Sequence, residues 1–243
     1  VLSKREKPFF AIIQTSGNHR PFTIPEDNEG FQLAEVGEDR LRETGFISNK
    51  ELNAFRLFDH SLGHFMGIAR QQTYFENTLF VFFGDHGLVG YAGDHSYAHE
   101  SQLELNRYRV PLLFYSPKLL KPQVMEKVAS QIDVLPSIAH LAGIHYKNTT
   151  LGRNLFNPDF DSQRYAFTMI HERKEMGLLN DSFYLTMNLD GTKTRLQRLR
   201  VEDPRTDVSN LFPKQAEEMA IICLGLFETA NYLRYHNGVE IEN

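Results

Sequence analysis

Leu79-Phe80-Val81-Phe82-Phe83-Gly84-Asp85-His86-Gly87 is the stretch that decides the fold. Five apolar residues run unbroken and stop at Gly-Asp-His-Gly. The run is too short for a typical helix and too apolar for a half-exposed strand. It reads as a strand buried on both faces, the kind found in parallel sheets. In open α/β sheets, ligands bind outside the carboxyl ends of the strands. Asp85 and His86 therefore stand where chemistry is done, and a carboxylate beside an imidazole begins a divalent metal site. Neighbours on a regular strand point to opposite faces. At a strand end that turns on Gly84 and Gly87 they can converge on one ion.

Outward from this stretch, the chain alternates strands and helices. Phe9-Phe10-Ala11-Ile12-Ile13 marks a first strand over 8–15, so His19 also lies just past the carboxyl end of a buried strand. Residues 23–47 read as a long polar loop with one short helix. Ser48 and Glu51 form a capping box. Leu52, Phe55, Phe58, Leu62, Phe65, Met66 and Ala69 then make a stripe at helical spacing. A helix between two buried strands is a crossover unit and predicts a parallel sheet.

Residues 88–107 are a polar, His-rich loop. Arg109–Tyr115 is another apolar strand, with Pro111 at its start or on an edge. Residues 122–131 read as helical. Asp133 caps a helix that runs through Leu141 and stops at Gly143. After Gly152 the composition turns β-rich over 165–171, 182–189 and 193–199, with Asp190-Gly191 as a hairpin signal. A last amphipathic helix covers about 213–235. The expected class is α/β. A mostly parallel sheet with flanking helices spans 1–157, and a small C-terminal subdomain, an antiparallel sheet with one helix, spans 158–243.

Composition narrows the function. The 243 residues carry a net charge of −5 with basic residues scattered, which argues against a nucleic-acid surface. The single cysteine, Cys223, excludes an intrachain disulfide. No apolar run approaches the ~20 residues that cross a bilayer. The chain opens on Val1 and is soon in an apolar strand, which reads as a piece cut from a longer chain. His60 and His64 lie four apart, but Ser61 stands where a zinc helix carries glutamate, so this helix reads as a packing element. Asp59 reads as an anchor for the same helix.

Several motifs occur in a telling order. Gly84-Asp85-His86-Gly87, Arg109-Val110-Pro111-Leu112, Ile132-Asp133-Val134-Leu135-Pro136-Ser137-Ile138 and Gly143-Ile144 together resemble the second half of sulfatase-type members of the alkaline phosphatase superfamily. Asp59 and Gly63 match that family's Asp-x-x-x-Gly helix, and Asp203-Pro204 with Asn210-Leu211 resemble the end of its C-terminal subdomain. Asn18-His19-Arg20-Pro21-Phe22 is similar to the Asn-His-x-Pro-Phe of lipoteichoic-acid-synthase-like and phosphoglycerol-transferase-like proteins. Those are bacterial membrane proteins with an extracytoplasmic catalytic domain. They move phosphoglycerol from a lipid donor with a threonine nucleophile and one manganese or similar ion.

The resemblance implies that Asp85 and His86 are metal ligands for one divalent ion, Mn or Zn ahead of Mg or Ca. It implies that His19 contacts the substrate phosphate, and that His99, or His95 in its place, binds the ester group. The partners it implies are a phosphate or sulfate ester, lipid-linked in the transferase branch, and the N-terminal half of the same domain. It places the protein on the extracytoplasmic face of the bacterial inner membrane, anchored by segments absent from this chain. The family's nucleophile and other metal carboxylate belong to that N-terminal half, and no Cys/Ser-x-Pro-x-Arg motif occurs here. This chain alone is therefore expected to be inactive. Two alternatives stand beside phosphotransfer: a sulfatase or phosphodiesterase, and a non-catalytic domain that binds an anionic glycan or lipid head group.

Overall fold

A computed structural model gives the structure of the chain. It describes residues 4, 7–88, 93 and 98–237, so His95 lies outside the described residues. They fall into two compact units. One draws on Val1–Phe82, Val89–Ser96 and Leu113–Leu120, and the other on Phe83–Leu88, Tyr97–Leu112 and Lys121–Asn243.

The first unit is built around two helices, α1 (Glu38–Thr44) and α2 (Asn49–Ala69). Ser48 caps α2, its hydroxyl accepting the Glu51 N–H at 3.2 Å. The Glu51 carboxylate reaches back to the Ile47 N–H at 2.9 Å. Two asparagines one helical turn apart then hold an extended segment. The Asn53 amide exchanges two hydrogen bonds with the Ala34 backbone, both 2.8 Å. The Asn49 amide does the same with Val36, both 2.9 Å. Ala34 and Val36 share one face of an extended chain, so each side-chain amide stands in for the peptide of a neighbouring strand. This moves the buried face of α2. Asn53, Ala54 and Leu57 are buried, whereas Leu52, Phe55, Phe58 and Leu62 of the expected stripe are only half-buried. Farther along, Ala69 joins Phe75 and Phe80 in a cluster with Phe65, Met66, Tyr74, Phe82 and Tyr115 around it.

Strand β1 (Phe80–Phe83) pairs with β2 (Leu112–Tyr115). Past β1, Gly84 N–H donates to Pro111 O at 3.2 Å and Gly87 N–H donates to Arg107 O at 2.8 Å. The partner number falls as the donor number rises, so these flanks run in opposite senses. Burial on both faces, expected for this strand, is reached at Phe80, while Phe83 is 51% exposed. The strand expected over 8–15 has no regular structure, and Phe10, Ile12 and Ile13 are all more than two-thirds exposed. A strand exists only where a neighbour takes its backbone groups, and no strand among the described residues pairs with this segment.

In the second unit, the helix expected over 122–131 is absent and Val124 is 88% exposed. A short helix without an apolar face to pack is not stable alone. Helix α3 covers Ala98–Gln102 and α4 covers Val134–Leu141. Asp133 is fully buried ahead of α4, its carboxylate accepting the Ser130 N–H at 2.9 Å and the Arg153 N–H at 2.8 Å. Gly143 ends this region in the left-handed conformation at φ +67°.

The rest is a four-stranded antiparallel meander, β3 (Ala166–Ile170), β4 (Glu175–Leu179), β5 (Phe183–Asn188) and β6 (Arg195–Arg198). Asp190-Gly191 turns β5 into β6, with Gly191 at φ +81° and the Asn188 N–H donating to Thr192 O at 2.8 Å. Helix α5 (Pro213–His236) lays Ala216, Met219 and Cys223 on Met176, Leu178, Leu185, Met187 and Leu196. No helix among the described residues is long and apolar enough to cross a membrane.

Candidate functional site

The end of β1 carries the expected pair. Gly84 and Gly87 are needed there because the chain passes hard against residues 106–111. A Cβ on Gly84 would meet Val110 Cβ at 2.9 Å, and one on Gly87 would meet Asn106 O at 1.9 Å and Arg109 O at 3.1 Å. The Gln131 side-chain amide grips the same turn, donating to Asp85 O at 2.8 Å and to Gly84 O. With its backbone fixed from two sides, the turn projects both side chains outward. The Asp85 side chain is 79% exposed and that of His86 is 62% exposed.

Their functional atoms converge, with His86 Nε2 3.9 Å from Asp85 Oδ2. Asp85 Oδ1 is occupied by the His86 N–H at 2.9 Å, which orients the carboxylate. His86 Nδ1 lies 3.0 Å from Gly87 O. A carbonyl oxygen only accepts, so in the neutral ring the proton is on Nδ1 and Nε2 keeps its lone pair. That is the tautomer of an Nε2 metal ligand, held by a backbone carbonyl as such ligands commonly are. The two residues thus fit half of a divalent cation site. Among the described residues no third His, Cys, Asp or Glu joins them.

His99 lies in α3 and is 8% exposed. Its Nδ1 accepts the Arg200 N–H at 3.4 Å. Burial, then the nearby charges of Arg200 and Arg109, hold its pKa below the ordinary histidine value and so favour the neutral ring. The neighbouring Glu100, also buried, pairs with Arg109. His99 shares the second unit with Asp85 and His86, whereas His19 belongs to the first. His19 is exposed, and its Nδ1 faces Arg20 O at 2.7 Å. Neutral His19 therefore offers an acceptor at Nε2 and becomes a donor there only as imidazolium. His60 is accounted for by packing, its ring against Phe31 at 5.7 Å and its Nε2 near Glu29 O at 3.2 Å.

Gln131 and Arg200 escape a reading of the sequence. Nothing about a glutamine in a polar stretch, or an arginine after a β-rich run, distinguishes them before the chain is folded.

Residues 1–144 match the Sulfatase family. The lipoteichoic acid synthase-like YvgJ of Bacillus subtilis is 28% identical over 205 residues, covering 79% of this chain and 31% of the relative. A solved protein of the alkaline phosphatase superfamily from Vibrio parahaemolyticus superposes with a TM-score of 0.66 at 22% identity, over 94% of this chain and 51% of that one. The lipoteichoic acid synthase LtaP from Listeria monocytogenes superposes at 0.60 with 17% identity, over 93% and 53%. The chain thus spans about a third of the first relative's length and about half of each solved neighbour. With an α/β fold of this kind and the family's pattern over more than half its length, the chain belongs to the sulfatase family.

Proposed function

We propose that this chain carries part of the catalytic domain of a metal-dependent transferase of phosphoglycerol or another phospho group, with its nucleophile supplied by sequence upstream. The observation that carries the reading is the convergence of Asp85 Oδ2 and His86 Nε2 at 3.9 Å on a glycine-flanked strand end, with the imidazole in the ligand tautomer. The named relatives, lipoteichoic acid synthase-like proteins, support transfer at phosphorus. Hydrolysis of a sulfate ester is the second reading, favoured by the family match itself.

A bound Mn or Zn ion would lower the pKa of the attacking hydroxyl and neutralise ester oxygens. Asp85 and His86 hold that ion. His19 contacts the anionic ester group. His99 or His95 hydrogen-bonds the same group. The substrate is a phosphate or sulfate ester, lipid-linked in the transferase reading. The N-terminal half of the domain completes the sheet beyond the exposed Phe10, Ile12 and Ile13. Residues 1–157 belong to the catalytic α/β part and 158–243 to the C-terminal subdomain, on the extracytoplasmic side of a bacterial membrane.

Metal content decides. In the protein with its upstream segment present, Asp85→Asn or His86→Ala lowers metal affinity by about 100-fold or more, beyond the loss seen when outer partners of ligands are removed. Asp59→Asn, an exposed carboxylate on α2, leaves it unchanged. Equal metal content in all three variants, measured by mass spectrometry of the purified proteins, rejects the ligand assignment.

A further inference from the structure

The turn that carries Asp85 and His86 is held by one exposed side chain 46 positions further along the chain. The Gln131 amide donates to Asp85 O at 2.8 Å and to Gly84 O. Its two N–H groups thus serve two consecutive carbonyls, and both carbonyls are turned toward Gln131. A glutamine at the surface ordinarily leaves its amide to water and keeps its rotamer freedom. This one is ordered against the backbone of the turn.

Gln131 stands on rigid ground. It opens a short helical turn, Gln131–Asp133, with Ser130 and Asp133 as its capping box. Asp133 is fully buried, and its carboxylate accepts the Ser130 N–H at 2.9 Å and the Arg153 N–H at 2.8 Å. The Ser137 hydroxyl donates to Asp133 O at 2.7 Å and accepts the Leu155 N–H at 2.9 Å. Gly152 presses on the neighbouring residue, since a Cβ there would meet Ile132 O at 1.9 Å. The backbone at Gln131 therefore has little room to move.

The grip has a consequence for the ligand pair. The peptide between Asp85 and His86 is trans, so its C=O and N–H point in opposite directions. With Asp85 O turned to Gln131, the His86 N–H is turned away from it. That N–H meets Asp85 Oδ1 at 2.9 Å. Oδ1 is thereby engaged, and Oδ2 is the oxygen left facing His86 Nε2 at 3.9 Å. We propose that Gln131 is a positioning residue. By holding Asp85 O it sets the Asp85–His86 peptide, and that peptide sets which carboxylate oxygen is presented to a divalent cation. The cation as ligand rests on the function proposed above. The coupling of Gln131 to the peptide does not.

Two variants and two readouts test it, in the protein with its upstream segment present. Gln131→Ala removes both donors. Gln131→Glu keeps the side-chain length but offers only acceptors to the two carbonyls. It also adds a negative charge, which by itself would tighten cation binding. Both variants should nonetheless weaken Mn2+ binding by about 10–100-fold, the usual loss when a partner behind a metal ligand is removed, measured by isothermal titration calorimetry. The metal-free readout is the His86 amide resonance of the 15N-histidine-labelled protein, assigned by its loss in His86→Gln. It should shift in both variants while circular dichroism shows them folded. A His86 amide unmoved in Gln131→Ala overturns the coupling. Wild-type affinity in either variant, or tighter binding in Gln131→Glu, overturns the positioning role. A wild type that binds no Mn2+ refutes the metal site itself, and the amide resonance then decides the coupling alone.

Discussion

Gly87→Ala is the sharpest test of how the site is held. The added Cβ would stand 1.9 Å from Asn106 O and 3.1 Å from Arg109 O. Both neighbours are backbone, so neither can rotate away as a side chain would. Forcing a methyl into such a space costs about 1–3 kcal/mol. The Gly87 N–H bond to Arg107 O, 2.8 Å long, is pulled apart by the same shift and adds ~1 kcal/mol. The expected loss is therefore about 3 kcal/mol, a fall in melting temperature of roughly 6–12 °C for a domain of this size.

The control is Gly63→Ala. A Cβ on this α2 glycine meets nothing within 4 Å, and replacing a mid-helix glycine by alanine stabilises by about 0.5–1 kcal/mol. Urea denaturation of both variants, followed by circular dichroism, gives the comparison. Gly87→Ala should lower the midpoint and Gly63→Ala should hold or raise it. If both unfold at the wild-type midpoint, the chain past β1 does not press on residues 106–109 and the account of the Gly84–Gly87 turn is wrong.

Two further outcomes are expected. His99 is held below its ordinary pKa by burial and by Arg200 and Arg109. The unfolded chain therefore binds more protons below about pH 6.5, and stability falls as pH drops from there toward the folded-state value. His99→Gln should flatten the slope of stability against pH between 7 and 5, and an unchanged slope would show that His99 does not carry it. Cys223 is fully buried on the inner face of α5, and burial pushes its thiol up to about 12. At pH 8 it should react with a thiol reagent on the order of a thousandfold more slowly in the native chain than in urea, and equal rates would contradict its place in the core.

Local signals carried most of what was legible. Ser48 and Glu51 mark the start of α2, Gly143 marks the end of the α4 region, and Asp190-Gly191 marks the β5–β6 turn, each through chemistry confined to a few neighbouring residues. Elements that depend on distant partners were misread. The apolar run at 8–15 has the composition of a strand but no pairing partner among the described residues. Strand β4, Glu-Met-Gly-Leu-Leu, has no alternation and a glycine at its centre, which weakens any strand signal. In the sheet Gly177 is required, because a Cβ would meet Thr168 Oγ1 at 2.7 Å and Leu185 O at 2.8 Å. The face buried by α2 was displaced for a similar reason. Asn49 and Asn53 look like polar residues on an outer face until the segment around Ala34 and Val36 is laid across them.

The site divides along the same line. Asp85 and His86 are adjacent, and the glycines that let them converge flank them, so sequence alone could bring the two together. The state of His99 could not be read that way. The residue that meets its Nδ1 is 101 positions away, and it does so through a main-chain N–H that any non-proline residue would offer. What selects it is the path of the backbone: the buried Leu199 follows β6, the next residue stands at φ +54°, and its N–H is turned to His99. The C-terminal sheet is thus more than a support for α5. Through Glu104–Arg173, Tyr108–Met169 and Arg200–His99 it holds the His99 segment of its own unit in one conformation.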